Sequence, residues 1–299
     1  MDWTNWIGRT ESRSDTVTLA PVAALSATLD RDDPAPQPGD PLPLLWHWLY
    51  FLPRHRESEL DVDGHARRGE FLPPVGLARR MYAGGRVEAH SPLRVGDRIE
   101  RVSRIVDVTR KDGRSGSLVF VKVRHEISHQ DGLALVEDHD IVYRDHPRDA
   151  EDAARPSTGR GPAERSNAGR AGDGRRTVPD AAWEREVRPD EVLLFRYSAL
   201  TFNGYRIHYD RRFATETQGY PGLLVHAPLV ATLLADLLRR HLPQADVSSF
   251  VFRAVRPLFD GVPFKLCGGP SDDPCLVKLW AREADGAVAF EATALLRSG

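Results

Sequence analysis

The chain has 299 residues, of which 41% are hydrophobic, and its formal net charge at pH 7 is −2. A chain of this length can bury one large core or two modest ones. The near-neutral charge argues against nucleic acid as a partner, because such proteins usually carry a clearly basic face. No run of about 18 apolar residues occurs, so no membrane span is expected. The opening segment lacks the apolar stretch of a secretory signal, so we expect a cytoplasmic protein.

The sequence offers little sign of disulfide or metal chemistry. Two cysteines, Cys267 and Cys275, flank a loop rich in Gly, Pro and Asp. A disulfide scaffold of this size would need more cysteines, so we expect both thiols to be reduced. Clusters with the spacing of metal ligands are absent from the sequence, and the Gly-Gly pairs lack the context of a phosphate-binding loop. We therefore predict no metal and no cofactor.

The N-terminal segment mixes short apolar runs with proline-rich and charged stretches. We predict an opening helix around Trp3, Trp6 and Ile7, followed by a second helical piece over residues 21–25. The run 44–51, LLWHWLYF, is too apolar to be exposed and is long enough for about two helical turns. We predict a buried helix there.

From residue 90 onward the pattern becomes that of β-strands. Strands are predicted over 99–109, 118–127 and 133–143, because apolar residues alternate with polar ones and Gly-containing turns separate the runs. A similar pattern returns near the C-terminus, where strands are predicted over 276–283 and 288–296 with an Asp-Gly turn between them. Both regions therefore indicate antiparallel meanders.

The two meanders form an internal repeat, because in each case an apolar helix is predicted before the strands. Two copies of one α+β unit are thus expected, with a helix wrapped by a curved antiparallel sheet in each. Residues 146–179 separate the copies and contain almost no large apolar residue, so we predict a flexible linker there. The predicted division is an N-terminal module over 1–145 and a C-terminal module over 180–299.

The most informative stretch joins a polar loop to an apolar helix. Residues 202–208, FNGYRIH, hold an amide and an imidazole close together, and residues 219–222 form a bend with strong turn chemistry. Apolar residues then recur with helical spacing from 223 to 240, and one face carries Leu229, Leu233, Leu234, Leu237 and Leu238. A polar pair beside a helix N-terminus is a plausible anion-stabilising site.

The segment from Asn203 to Asp210, followed by Val225-His226-Ala227 and the helix, resembles the hydratase motif of the MaoC-like hot-dog enzymes. The sequence patterns TFNG-x-RIHYD and GYPGL-x-VH resemble more closely the two-module branch of that family. This branch includes mesaconyl-C4-CoA and itaconyl-CoA hydratases and hydroxyacyl-thioester dehydratase type 2. The resemblance implies a double hot-dog fold. It also implies reversible addition of water to a 2-enoyl thioester, with the C-terminal module carrying the site and the N-terminal module serving as a pocket wall.

The resemblance also assigns roles to individual residues. His208 would be the general base, since its ordinary pKa lies near neutrality. Asn203 stands where single-module relatives have a catalytic Asp; an amide cannot accept a proton at neutral pH, but it can orient a water molecule. The backbone N–H of Ala227 would hold the thioester oxygen. His226 is expected to serve in packing.

Further substrate-binding residues are expected around this centre. Tyr205 is predicted to line the acyl pocket, and Gly222 lies in the bend that leads to the oxyanion position. Arg206 and Arg253 are candidate contacts for the phosphates of a carrier.

The sequence leaves the substrate open within one class. The expected activity is hydration of a short branched or dicarboxylic 2-enoyl-CoA, such as mesaconyl-C4-CoA or itaconyl-CoA. The alternatives are dehydration of a 3-hydroxyacyl group on an acyl carrier protein, and non-catalytic binding of an acyl thioester, which the missing Asp makes plausible. Monomer and homodimer both stay open, because two modules in one chain can pair with each other.

Overall fold

The computed structural model describes residues 3–113, 116–145 and 180–297. The predicted linker over 146–179 lies outside the described residues. Within them, ten strands form one antiparallel sheet in the order β1-β3-β4-β5-β2-β7-β10-β9-β8-β6. The strands of the N-terminal half are β1 (Thr10–Thr16), β2 (Arg79–Ala89), β3 (Arg98–Gly113), β4 (Gly116–His129) and β5 (Gly132–Arg144).

The C-terminal half repeats this arrangement. Its strands are β6 (Trp183–Val187), β7 (Val247–Ala254), β8 (Phe264–Pro270), β9 (Leu276–Glu283) and β10 (Val288–Leu296). The strand order of one half mirrors that of the other about the antiparallel pair β2–β7. The expected α+β double hot-dog fold is therefore confirmed. The mirrored order supports the predicted division into two modules, whose boundaries stay a prediction.

Among the described residues, three helices of at least ten residues accompany the sheet: α1 (Leu19–Thr28), α2 (Glu191–Leu200) and α3 (Ala227–His241). Helix α3 packs on the C-terminal half of the sheet, and its apolar residues are almost entirely buried, including the five leucines of the predicted face. The helix begins four residues later than the apolar pattern indicates. The backbone N–H groups of Leu224 and Val225 instead bond to the carbonyls of Ile207 and Leu258, which holds this segment extended.

The predicted helix over 44–51 is wrong. The structure has only a short 3-10 turn, Trp46–Leu49, between two residues in the left-handed region, Leu45 (φ 69°) and Phe51 (φ 55°). Two such residues cannot belong to a regular α-helix, although the run is buried as expected. The predicted opening helix is likewise reduced to a 3-10 turn, Thr4–Trp6. The N-terminal half therefore has no counterpart of α3 within the described residues.

A cavity of about 920 Å³ lies against the N-terminal strands, and residues of β2, β3, β4 and β5 line it. A buried polar cluster closes part of it. The carboxylate of Glu137 on β5 accepts hydrogen bonds from Trp48 Nε1 (3.1 Å) and Tyr82 Oη (3.1 Å), and it lies 3.0 Å from Nε2 of His47. Burial alone would raise the pKa of Glu137, but the hydrogen bond to His47 and the electrostatic influence of His47, His125 and His139 hold it well below its ordinary value, so the carboxyl is ionised in the interior.

Neither Cys267 nor Cys275 is in a disulfide bond. Among the described residues, no helix has the length and apolar character required to cross a membrane.

Candidate active site

His208 lies in a 3-10 turn, Arg206–His208, that follows α2 in the chain. Its Nδ1 is 2.7 Å from the carbonyl oxygen of Leu224. Because a carbonyl can only accept, the proton of the neutral ring sits on Nδ1 and the lone pair is on Nε2. Nε2 has no hydrogen-bond partner within the described residues, and the residue lines a second cavity of about 340 Å³. His208 therefore presents a fixed acceptor at this cavity.

The environment of His208 keeps it neutral. Burial lowers its pKa to about 4, and the hydrogen bond to Leu224 only partly offsets this effect. The ring stacks on His226 with centroids 3.7 Å apart, and Nε2 of His226 lies 2.8 Å from Oγ of Ser198 on α2. His226 is fully buried and its pKa is also lowered by burial. Two neutral imidazoles are thus held in one stack, with His208 the member that reaches the cavity.

Ala227 is the first residue of α3, and it lines the same cavity as His208. Its backbone N–H has no acceptor within the described part of the chain, as expected for the first turn of a helix. The next residue, Pro228, has no N–H to donate. The helix dipole adds partial positive charge at this end. One N–H donor therefore faces the cavity where a developing oxyanion would be stabilised.

Asn203 lies at the boundary between the small and the large cavity and lines both. Its Oδ1 accepts a hydrogen bond from the backbone N–H of Tyr205 at 3.0 Å, which fixes the amide. The other end of the amide, Nδ2, has no hydrogen-bond partner among the residues described. The structure thus brings Asn203, His208 and Ala227 to one cavity.

Tyr205 also lines the small cavity, as predicted for an acyl-pocket residue. Its ring meets that of His208 edge to face, with centroids 5.7 Å apart, and packs on the ring of His65 at 4.2 Å. The side chain is buried. It therefore forms a wall that connects the loop of residues 202–208 to a loop of the N-terminal half.

Three predicted binding residues, Arg206, Arg253 and Gly222, line neither cavity. Arg206 is held by Asp210 (2.6 Å) and by the carbonyl of Val62, and Arg253 on β7 pairs with Glu291 at 2.7 Å. Both guanidinium groups are committed to protein partners.

Gly222 acts instead through the absence of a side chain. A Cβ there would lie 2.6 Å from Oδ1 of Asp260, the atom that accepts the N–H of Leu223 at 2.7 Å. Gly222 thus lets Asp260 bind the backbone just before the helix, and it does not line the cavity.

Sequence reasoning missed the contribution of the loop that contains Asp63 and His65. Asp63 holds Nδ1 of His65 at 3.1 Å, and His65 lines both cavities. This loop packs directly on the loop of residues 202–208: the backbone N–H of Arg206 donates to the carbonyl of Asp63, and Gly64 (φ 90°) approaches Gly204 so closely that a Cβ would lie 1.9 Å from its oxygen. The sequence Asp63-Gly64-His65, with a carboxylate and an imidazole on either side of a turn-prone glycine, could have identified this loop as a candidate site.

Comparison with known proteins places this geometry in a family. The family model described as hydroxyacyl-thioester dehydratase type 2 matches residues 45–260. The chain is 46% identical over 292 residues to the mesaconyl-C(4)-CoA hydratase of Chloroflexus aurantiacus, covering 98% of this chain and 97% of that protein. It is 26% identical over 289 residues to the mitochondrial hydroxyacyl-thioester dehydratase type 2 of Schizosaccharomyces pombe, covering 85% of this chain and 88% of that one.

A solved structure supports the fold. A Mycobacterium tuberculosis protein described as having a double hot-dog fold superimposes with a TM-score of 0.56 at 15% identity, covering 97% of this chain and 96% of that chain.

The fold and the site define a MaoC-like hot-dog hydro-lyase. Within that class, the chain belongs to the hydroxyacyl-thioester dehydratase type 2 family. It catalyses the hydration and dehydration of acyl-CoA thioesters.

Proposed function

We propose that the protein hydrates a short, branched dicarboxylic 2-enoyl-CoA of the mesaconyl-C4 type. Support comes from the relative with 46% identity, which is named for that substrate. The cavity that contains His208 has a volume of about 340 Å³, at the lower end of the usual range for small-molecule sites. A short acyl group suits this volume better than a long chain.

The proposed reaction uses three groups of the C-terminal half. Water is held between the amide of Asn203 and Nε2 of His208. As Nε2 takes one proton, the water oxygen bonds to the β-carbon, and the electrons of the double bond move toward the thioester oxygen. The N–H of Ala227 and the dipole of α3 stabilise the resulting enolate oxygen. The proton on His208 then passes to the α-carbon, which completes the addition and restores the neutral imidazole.

One observation carries this proposal: the lone pair of His208 and the N–H of Ala227 both lack protein partners and line one cavity. Hydration of an enoyl thioester needs both an acceptor for the water proton and a donor for the developing oxyanion. A non-catalytic binding protein would have no need for a desolvated base beside that donor.

The experiment is a hydration assay, followed by the loss of enoyl absorbance, with wild type, His208→Ala and His241→Gln. His241 is exposed at the other end of α3 and serves as the matched control. We expect His208→Ala to lower kcat by about 10²- to 10⁴-fold, because general base catalysis contributes on that order. His241→Gln should keep wild-type activity. Unchanged kcat in His208→Ala would exclude His208 as the base.

A further inference from the structure

Arg80 is a cation at the junction of the two cavities. It lies on β2 opposite Tyr143 of β5, and it lines both the small cavity with His208 and the large cavity with Glu137. Asn203 and His65 share this position. The guanidinium group is only partly exposed. A positive charge therefore borders the volume in which the acyl group would react.

Arg80 differs from other partly buried arginines of the protein in its partners. Arg31 pairs with Asp33 at 2.9 Å, and Arg185 and Arg240 pair with Asp236 at 2.9 and 2.7 Å. No carboxylate oxygen of the described residues lies within 4.0 Å of the Arg80 guanidinium. Partly desolvated charges are normally paired, because removal from water is costly. The nearby charge of Asp63 acts on Arg80 at longer range, and the Tyr143 hydroxyl lies beside it, but neither is a carboxylate in direct contact. The guanidinium can therefore still bind a carboxylate from a ligand.

The charge of Arg80 acts on the groups around the site. Burial, with the charge of Arg80 as the second cause, lowers the pKa of His65 to about 4. The charge of Arg80 also acts on Tyr205, where it opposes the rise in pKa that burial causes. The ring of Tyr205 meets that of His208 edge to face, with centroids 5.7 Å apart. The field of Arg80 therefore extends over the loop of residues 202–208 as well as the cavity.

The acyl group is the part of the substrate that has to lie beside His208. Arg80 lines the same cavity of about 340 Å³ as His208, so an anion on the acyl group would come within reach of its guanidinium. A mesaconyl-C4 thioester carries its free carboxylate on the β-carbon, the atom that water attacks. Attack by oxygen at a carbon next to an anion is electrostatically unfavourable, and a cation beside that carboxylate removes much of the penalty.

We propose that Arg80 binds the free carboxylate of the acyl group and so selects dicarboxylic over monocarboxylic enoyl-CoA substrates. This inference rests on the proposed function and adds the residue that sets its specificity. The planar guanidinium suits a carboxylate because it can donate two parallel hydrogen bonds, which a lysine cannot reproduce.

The primary test measures binding of two saturated thioesters of equal chain length, succinyl-CoA and butyryl-CoA, by calorimetry. Neither can be hydrated, so the measurement does not depend on catalysis. We expect wild type to prefer succinyl-CoA, Arg80→Gln to lose that preference by about 30-fold or more, and Arg80→Lys to retain part of it. Arg253→Gln is the matched control, since Arg253 pairs with Glu291 away from the cavities. Melting curves establish that each variant is folded.

The kinetic test compares mesaconyl-C4-CoA with crotonyl-CoA. We expect Arg80→Gln to lower kcat/KM on the order of 10²-fold for the first and by less than about 3-fold for the second. Equal losses for both thioesters, in binding or in turnover, would overturn the proposal and would indicate a contact with the CoA portion. Wild type that prefers succinyl-CoA but hydrates no thioester would refute the proposed function while leaving the carboxylate site intact.

Discussion

The two halves of the sheet share one strand order but differ in what covers them. In the C-terminal half, α3 buries an almost continuous apolar face, with Leu229 and Leu234 fully buried. In the N-terminal half, a 3-10 turn and a cavity of about 920 Å³ lie against the strands, and an ionised Glu137 lines the cavity. The comparison teaches that the sheet fixes the architecture while the covering segment decides whether a half holds a core or a binding space.

The largest expected effect tests the polar filling of the N-terminal half. Glu137→Ala removes a buried carboxylate that three side chains contact, and leaves His47, Trp48 and Tyr82 without their acceptor. We expect the free energy of unfolding to fall by about 3–5 kcal/mol, as when one partner of a buried polar cluster is removed. Urea denaturation measures the change. A loss below about 1 kcal/mol would show that the cluster contributes little to the stability of this half.

The next effect concerns the end of α3 that faces the cavity. Ala227→Pro deletes one N–H, and it suits this position because His226 is already extended (φ −63°, ψ 128°) and proline is favoured at a first helical residue. We expect kcat to fall by about 10²- to 10³-fold with the fold retained, which matches the loss of one oxyanion donor. Ala227→Gly keeps the N–H and should stay within a few-fold of wild type. Equal activity in both variants would remove Ala227 from the mechanism.

A further expected effect is a pH dependence shared by both halves. Burial lowers the pKa of His208, His65 and His125 to about 4 each, against about 6.5 in an unfolded chain. Between these values the unfolded state binds more protons, so stability falls as the pH drops below about 6.5. Each histidine contributes at most about 1.4 kcal/mol per pH unit. Urea unfolding at pH 7.5 and 5.5 should show this decline; a constant free energy of unfolding would contradict it.

The parts of the molecule that sequence reasoning predicted well depend on local pattern. The bounds of β9 and β10 and the buried face of α3 follow from alternation and helical spacing. The motif likewise placed His208 and Ala227 in one site, because they belong to consecutive segments of the chain. These features need no knowledge of distant contacts.

The failures depend on contacts between distant segments or on backbone geometry. The apolar run 44–51 satisfies the composition of a helix, but Leu45 and Phe51 adopt left-handed conformations that composition does not reveal. Arg80 and His65 reach the site only because β2 and the preceding loop pack on the loop of residues 202–208, more than a hundred residues away in sequence. Arg206 was predicted to contact a phosphate, but the sequence does not show that its guanidinium pairs with Asp210.

The pairing of β2 with β7 has a consequence for how such a protein can change. When two identical chains associate about a twofold axis, every substitution appears on both sides of the interface. Here the corresponding strands belong to one chain and differ in sequence, so Gly84 of β2 lies opposite Arg253 of β7. The N-terminal repeat can therefore have a polar cavity beside its strands, while the strands of the C-terminal repeat pack on the apolar face of α3. Because the two repeats are joined in one chain, a substitution in one repeat is not copied into the other. One repeat can therefore carry the catalytic residues while the other carries residues that determine substrate specificity.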